Sequence, residues 1–448
     1  MMEKVKSALL FFLVGLSLLL TYQLWYGEKP AQLVEEDIYE RILVEEPRSL
    51  ENVLTPGHIV LRAEEGSYIF KKGEAKYDSL WDTLSLILQQ IRFDAAMEEE
   101  ALPEDSVKVL AFYLDPVLPV GEELPWLPDA AYTEISMIEV YSNESQKWLA
   151  LVEAGSNNEI YLQLSSARAA VFSEMLEEVS LAGKTLYTVL SAEQQDQQLK
   201  SGLEISGNIY VPLEPVYMDE LNLRAEDIDR SLILKTFFVD YNMARIIEEK
   251  DGGLIYTDGD KGLRLTSTGL EYSSPQKEEG QVTAAYPDAL FNSSSLISYH
   301  GGWPESLRLE ELNLSGWGRA VYYNAKWNMY YNGFPIFTRQ PTRALFNDNG
   351  LIHYNRSIFV PGDFTPEDRE QKPVAAWNDA LDAAVYLLNE QAPESGNIMR
   401  LEELCLGYAV RDLSNGYRGQ PVWRIKINGK AYILDAYQLE PIRGEDLL

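Results

Sequence analysis

The chain has three histidines and one cysteine, residue types that often bind metals or act as nucleophiles. His58, His300 and His353 are far apart in the sequence and form no H-x-x-H pair, so they give little support for a zinc site. Cys405 has apolar neighbours, which favours a buried, unreactive thiol over a nucleophile. The sequence contains no G-x-S-x-G segment, no P-loop and no G-x-G-x-x-G segment. We therefore predict no catalytic residues, no cofactor, no metal ligands and a protein that is not an enzyme.

Two acidic segments could bind a cation or take part in acid–base chemistry. Asp258-Gly259-Asp260 does not continue into the full calcium-loop pattern, so a β-turn is the favoured interpretation. Glu98-Glu99-Glu100 lies between a predicted helix and a predicted strand, where a run of carboxylates is typical of a solvated loop. Neither segment predicts a functional site.

Aromatic residues in the last third of the chain offer another kind of site. They could line a groove for a cell-wall glycan, although such residues more often form core and cross-strand pairs. Both interpretations are open for Trp303, Trp317, Tyr322, Tyr323, Trp327, Tyr330 and Tyr331.

The elements that must position these side chains include strands and helices in an α+β order. Apolar runs predict strands at 57–61, 107–114, 135–141, 147–153 and 159–164. Helical spacing of apolar residues predicts helices at about 80–91, 166–181, 241–249 and 375–389. A Gly/Asp turn predicts a β-hairpin over 253–265.

The last third also contains an internal similarity. Tyr331–Phe337 and Tyr417–Trp423 share the pattern Tyr-x-Gly-x-Pro, a β-branched residue and an aromatic residue. Each copy predicts a turn that leads into a strand. A duplicated hairpin is therefore one interpretation, and coincidence is the alternative because the pattern is short.

The N-terminus carries the strongest signal for location. The apolar run from Ala8 to Leu20, extended to Tyr26, is about 19 residues long and would span about 28 Å as a helix, close to the thickness of a bilayer core. Lys4 and Lys6 precede it, which predicts a cytoplasmic N-terminus and an extracytoplasmic remainder. Because no small-residue cleavage site follows, an uncleaved anchor is favoured over a signal peptide.

Four residues of this anchor are candidates for membrane and helix contacts. Gly15, together with Ser17 and Thr21 at i and i+4, would let a second helix approach closely and form hydrogen bonds. Trp25 lies where an aromatic belt would meet the outer headgroups. Ordinary membrane-helix composition is the alternative explanation for these residues.

The formal net charge of −32 makes nucleic acid binding improbable, because so acidic a surface repels phosphate. A single cysteine excludes an intramolecular disulfide, which fits an exported bacterial protein that does not depend on oxidative folding. We predict a single N-terminal transmembrane helix followed by a multi-domain extracytoplasmic α+β region with antiparallel sheets and packed helices. The predicted units are a cytoplasmic tail (1–6), an anchor (7–27), an acidic stalk (28–51) and three α+β domains (52–212, 213–312 and 313–448).

Several segments resemble the YycH (WalH) family. They are the anchor from Lys6 to Trp25, the central segment from Phe238 to Tyr272 that includes Ile255-Tyr256-Thr257-Asp258-Gly259, and Asn332-Gly333-Phe334-Pro335-Ile336-Phe337. The resemblance is in patches along the chain and is poorest at about 95–230. No segment is a catalytic signature.

The resemblance implies an auxiliary protein of the WalK/WalR (YycG/YycF) two-component system of Gram-positive bacteria. Its implied partners are a WalK-like sensor histidine kinase, a YycI-like anchored protein and the membrane, with no nucleic acid. The expected function is modulation of the kinase, and so of cell-wall homeostasis, by protein–protein contact at the cell membrane. The alternative is an anchored cell-envelope module that recognises a wall glycan or peptide.

Overall fold

The computed structural model describes residues 16, 45–48, 50–91, 107–119, 134–143, 146–156, 158–178, 181, 184–191, 203–226, 229–250, 252–362, 371–391, 399–413, 416–443 and 447. Its helices are α1 Leu50–Val53, α2 Ala75–Ile91, α3 Ser166–Glu178, α4 Arg230–Phe237, α5 Tyr286–Tyr299 and α6 Trp377–Gln391. Two short 3-10 helices cover Tyr241–Met243 and Pro275–Lys277.

The strands are β1 His58–Ala63, β2 Gly66–Lys71, β3 Val107–Pro119, β4 Glu134–Ser142, β5 Lys147–Glu153, β6 Glu159–Gln163, β7 Leu186–Leu190, β8 Leu203–Ile205, β9 Ile209–Pro212, β10 Tyr217–Met218, β11 Leu221–Ala225 and β12 Arg245–Glu248. They continue with β13 Leu254–Thr257, β14 Gly262–Leu265, β15 Gly269–Ser273, β16 Leu307–Trp317, β17 Ala320–Tyr331, β18 Phe334–Phe337, β19 Thr342–Asn347, β20 Gly350–Ser357, β21 Phe359–Pro361, β22 Lys372–Pro373, β23 Met399–Leu413, β24 Gly416–Ile427 and β25 Lys430–Asp435.

The first part of the chain forms an antiparallel sheet of eight described strands in the order β6-β5-β4-β3-β1-β2-β7-β9. Helix α2 covers this sheet and contacts β2 and α3. Its buried residues recur at helical spacing, so one face of the helix joins the core; they are Tyr77, Leu80, Trp81, Leu84, Ile87 and Leu88.

Fifteen of the remaining described strands form a larger sheet, and β10 pairs with β22 in a separate two-stranded sheet. The main path of the larger sheet runs β12-β13-β14-β15-β20-β19-β17-β18-β23-β24-β11-β21, with β16 on β17, β25 on β24 and β8 on β23. Pairing is antiparallel except where β23 meets β18 and β8. Helix α6 contacts β24 and β25, and Trp423 Nε1 donates to Ala375 O at 3.0 Å just before the helix begins.

These sheets confirm the predicted α+β fold with antiparallel pairing. The predicted strands near 58, 107, 135, 147 and 159 and the hairpin over 253–265 are present. The chain passes between the sheets at 203–212, because β8 pairs with β23 whereas β9 pairs with β7. Residues 312 and 313 both lie within β16, and the division into three domains stays a prediction.

Two local predictions are wrong. The helix expected at 241–249 is instead one 3-10 turn and strand β12. Asp240 Oδ1 accepts a hydrogen bond from Asn242 N at 3.1 Å and caps the short turn, and Arg245–Glu248 then pairs with β13. The second copy of the internal similarity is not a turn, since Tyr417–Trp423 lies inside β24, whereas Asn332 and Gly333 of the first copy form a turn between β17 and β18.

Candidate functional site

The four predicted anchor residues, Gly15, Ser17, Thr21 and Trp25, lie outside the described residues. Among the residues that the structure describes, no helix has both the length and the apolar character needed to cross a membrane. The anchor and its contacts therefore stay predictions.

A buried lysine joins the two sheets. Lys72 follows β2, is 1% exposed, and its Nζ donates to the carbonyl oxygen of Leu309 in β16 at 2.7 Å and to that of Asp115 at 3.4 Å. Burial lowers the pKa of Lys72 to about 8, with Arg308 acting in the same direction. The amine is still largely protonated at neutral pH, so charge-assisted hydrogen bonds hold the first sheet against β16.

Next to Lys72 the two sheets approach closely at two glycines. A Cβ on Gly73 would lie 3.0 Å from Cβ of Tyr330, and one on Gly333 would overlap the carboxylate of Glu74. Glu74 is held by an ion pair with Lys184. Gly333 also has φ of 81°, a left-handed conformation that favours glycine.

A cleft of about 310 Å³ opens beside this junction. One wall comes from β1, β2, β7 and β9 of the first sheet, and the other from β16, β17, β18, β23 and β24 of the larger sheet. Residues at its wall that carry charge or polar groups include His58, Lys71, Tyr187, Glu310, Tyr330, Glu403, Cys405 and Arg424.

The two cations of the cleft lie against aromatic faces. Lys71 Nζ is 5.1 Å from the ring centroid of Tyr187 and 3.5 Å from its hydroxyl, to which it donates. Arg424 Cζ is 5.1 Å from the ring centroid of Phe337, and its Nη1 is 3.1 Å from Glu403 Oε1. Both cations already have partners within the cleft, Tyr187 for Lys71 and Glu403 with Phe337 for Arg424, as in a packed junction.

Glu310 and Cys405, an acid and a thiol of the cleft, also have hydrogen-bond partners. Glu310 accepts from Lys326 Nζ at 2.7 Å and from Tyr330 Oη at 2.9 Å. Cys405 Sγ donates to Glu403 Oε1 at 3.1 Å, and burial together with Glu403 raises the pKa of this thiol well above its usual value. A raised pKa favours the protonated thiol, which is a poor nucleophile. Cys405 is half-buried at a cleft wall and not fully buried as predicted.

The three histidines do not come together. Burial, with Lys71 and Lys72 nearby, lowers the pKa of His58 to about 4, and its ring stacks on Tyr113 at 4.5 Å. His300 stacks on Phe237 at 4.2 Å in the larger sheet's core, and His353 lies in β20. No group of three or more histidine, cysteine or acidic side chains in the described ranges could hold a metal ion.

Asp258 forms the predicted turn rather than a calcium loop. Its Oδ1 accepts from the backbone N–H groups of Asp260 and Lys261, both at 3.0 Å. The carboxylate therefore stabilises the β13–β14 hairpin.

The aromatic residues predicted for a groove are separated by the fold. Trp303, Tyr323 and Trp327 are buried, and Trp327 is 0% exposed. Trp317, in contrast, is 92% exposed at the tip of the β16–β17 hairpin. Tyr322, Tyr330 and Tyr331 are half-buried; Tyr330 lines the cleft, and Tyr331 packs against Tyr408 with ring centroids 6.2 Å apart. With three of the seven buried and Trp317 alone at the tip, the described aromatics do not favour the glycan-groove interpretation.

The tip that presents Trp317 is braced. Gly280 N–H donates to Arg319 O at 2.9 Å, and Val321 N–H donates to Gly280 O at 3.3 Å. Leu314, 58% exposed, precedes Trp317 on the same strand. Leu314 and Trp317 are three residues apart in a regular strand, so they lie on opposite faces of β16. The tip therefore presents Trp317 as a single exposed aromatic side chain on a fixed support. Gly316 and Gly318 beside Trp317 were the sequence signal for this turn.

Comparison with known proteins gives the family. The sequence matches the YycH protein N-terminal domain over residues 3–108 and the YycH protein C-terminal domain over residues 206–440. Curated proteins gave no match. The fold is similar to the crystal structure of YycH from Bacillus subtilis, with a TM-score of 0.58 and 13% identity over 90% of this chain and 99% of that one.

Two further solved structures are less similar. The C-terminal domain of Bacillus megaterium YpeB has a TM-score of 0.27 and 13% identity over 49% of this chain and 97% of that chain. An uncharacterized protein from Eubacterium rectale has a TM-score of 0.37 and 11% identity over 58% of this chain and 93% of its own. The match over residues 206–440 alone covers more than half of the chain, and the chain therefore belongs to the YycH family.

Proposed function

We propose that this protein is a membrane-anchored extracytoplasmic regulator, not an enzyme, that modulates a WalK (YycG)-like sensor histidine kinase by protein–protein contact, together with a YycI-like anchored partner. Membership of the YycH family, through both of its domains, is the observation that carries the proposal. The apolar run from Ala8 to Tyr26, preceded by two lysines, supports a cell-membrane location with the folded part outside.

Regulation by contact requires that the protein bind the two states of the kinase with different free energies. A protein that binds two states of a kinase equally well cannot shift the balance between them. A difference of about 1.4 kcal/mol between the two binding free energies shifts that equilibrium tenfold. One good helix contact, or one well-buried aromatic side chain, provides this much.

Two surfaces are suited to that role. In the membrane, Gly15, Ser17 and Thr21 would pack against a kinase helix. Outside it, Trp317 offers a large apolar side chain on a braced hairpin, the type of residue that dominates binding energy at interfaces.

The anchor is tested by a helix exchange in the full-length chain. Residues 7–27 are replaced by an unrelated transmembrane helix of equal length, and phosphorylation of the response regulator is measured in the host. We expect regulation to weaken while the amount of protein in the membrane is unchanged. The matched control is the same foreign helix carrying Gly15, Ser17 and Thr21, which should recover part of the regulation. Full regulation by the exchanged protein would remove the anchor from the proposal.

A further inference from the structure

Strand β12 is an open edge of the larger sheet. In the part of the chain that the structure describes, Arg245–Glu248 pairs only with β13. All of its residues are exposed, including Ile246 at 63% and Ile247 at 52%. An edge strand with exposed isoleucines on both faces can pair with a strand of another chain. Natural proteins usually prevent such pairing with charged residues, with proline or with a covering helix or loop.

The hydrogen bonds between β12 and β13 determine which backbone N–H and C=O groups of β12 point outward from the sheet. Glu249 N–H donates to Gly253 O at 2.8 Å, so Glu249 and every second residue before it direct their N–H and C=O groups toward β13. Ile246 and Glu248 therefore direct theirs outward. An added antiparallel strand must place its own outward-directed residues opposite these two.

A second copy of β12 meets this condition. If the two-fold axis passes through Ile247, Ile246 lies opposite Glu248 of the second copy, and each such pair exchanges two backbone hydrogen bonds. Ile247 then faces Ile247 of the second copy in a non-hydrogen-bonded pair, where side chains are closest.

Charge favours the same arrangement. One face of the edge carries Arg245, Ile247 and Glu249 in succession. In the antiparallel pairing about Ile247, Arg245 lies opposite Glu249 of the second copy, and the reverse pair forms by symmetry. Glu249 also forms an ion pair with Arg264 of β14 at 2.6 Å, so its carboxylate would be shared between Arg264 and Arg245 of the second copy. The row Arg-Ile-Glu is complementary to itself when reversed.

We propose that two copies of this protein dock edge to edge through β12, in an antiparallel pairing centred on Ile247 that continues the larger sheet from one copy into the next. Four residues form a small interface, so the affinity in dilute solution is low. Anchoring both copies in one membrane raises their effective concentration and favours the pairing.

Disulfide trapping tests both the pairing and its register. The full-length chain with Cys405→Ser is placed in lipid vesicles, and one cysteine is added at the edge. With Ile247→Cys the two Cα atoms would be about 4.5 Å apart, within disulfide range. With Ile246→Cys they would be about 8 Å apart, because these positions are offset by two residues, and that exceeds disulfide range. We expect a crosslinked dimer from Ile247→Cys alone.

Every other pattern overturns the proposal. Crosslinking at Ile246→Cys alone would mean a different register, crosslinking at both positions would mean random collision, and crosslinking at neither would mean that the edge does not pair. The test requires no kinase, so its failure leaves the proposed regulatory function standing.

A charge substitution provides an independent check without a new thiol. Ile247→Lys would place two ammonium groups opposite each other on the axis and should weaken dimerisation about tenfold, measured by fluorescence energy transfer between labelled copies in vesicles. Leu314→Lys, at a similarly exposed apolar residue of β16, is the matched control and should leave dimerisation unchanged. Equal effects of the two substitutions would contradict docking through β12.

Discussion

The base and the tip of the β16–β17 hairpin lie in opposite environments. At the base, Trp327 is 0% exposed, and the carbonyl oxygen of Leu309 accepts a hydrogen bond from the buried ammonium group of Lys72 in the first sheet. At the tip, Trp317 is 92% exposed, although hydrogen bonds to Gly280 hold the backbone there. One hairpin therefore joins the two sheets at one end and presents an apolar side chain to solvent at the other.

The difference distinguishes residues that hold the fold together from residues that are available to bind a partner. At the junction, charged side chains are buried and hydrogen-bonded, because an unpaired buried charge would cost several kcal/mol. At the tip and along β12, apolar side chains are exposed although burial would stabilise them. Substitutions at the junction should lower stability, whereas those at the tip should alter only binding.

Trp327→Ala should lower the free energy of unfolding by about 3–5 kcal/mol, because it leaves a large cavity in the core. Its indole Nε1 has no hydrogen-bond partner among the described residues, so the loss is one of packing. Urea unfolding followed by circular dichroism measures the change. Trp327→Phe, which keeps an aromatic ring, should cost less. A loss below about 1 kcal/mol for Trp327→Ala would contradict the buried position.

Acid should destabilise the junction through His58. Its pKa is about 4 in the folded protein and 6.5 when unfolded, so below pH 6.5 the unfolded state binds more protons. The contribution is complete above pH 6.5 and decreases as pH falls toward 4, by roughly 2 kcal/mol between pH 6.5 and pH 5. Unfolding curves at both pH values, compared with His58→Phe, isolate this contribution. An identical pH dependence in the variant would refute it.

Alanine substitutions at two glycines with positive φ separate the stability loss caused by backbone strain from the loss caused by a steric clash between the sheets. Gly333 has φ of 81° and faces Glu74, whereas Gly318 has φ of 66° and a Cβ added to it would meet nothing within 4 Å. Gly318→Ala should cost about 1 kcal/mol from backbone strain alone. Gly333→Ala should cost about 1 kcal/mol more, because it also displaces Glu74 from the junction. Equal losses in thermal unfolding would mean that the sheets are not in close contact there.

Trp317→Ala should have the smallest effect on stability, within about 0.5 kcal/mol, because the side chain touches solvent. Regulation of the kinase should nevertheless weaken, with an affinity loss of about tenfold if Trp317 is buried at the interface. Thermal unfolding and response-regulator phosphorylation are measured on the same variant. Unchanged regulation would exclude the tip as a contact surface.

Much of the fold could be predicted from the sequence, because the signals are local. The nearly continuous apolar run at 107–114 and the Asp-Gly turn near Asp258 both identify elements that the structure contains. Strand β12 was predicted as helix because four residues are too few to show a period of two, and its pairing partner β13 follows only after a turn.

The cleft and the junction could not be predicted. Lys71, Glu310 and Cys405 come together only when the two sheets dock, and no spacing in the sequence encodes that approach. The burial of the aromatic residues also depends on tertiary packing. Trp327 and Trp317 belong to one hairpin, and only the packing of its base buries Trp327. The sequence could identify these aromatic residues as candidates, but it could not show which are buried in the core and which are exposed for contact.

The most direct measurement is crosslinked co-purification from the membranes of the native host. The full-length protein carries an affinity tag, cells are crosslinked and gently solubilised, and the recovered proteins are identified by mass spectrometry. We expect recovery of a sensor histidine kinase together with a second anchored protein of the YycI type. Less kinase should be recovered with the helix-exchanged chain and with Trp317→Ala. Recovery of wall fragments or wall enzymes without any kinase would contradict regulation by contact.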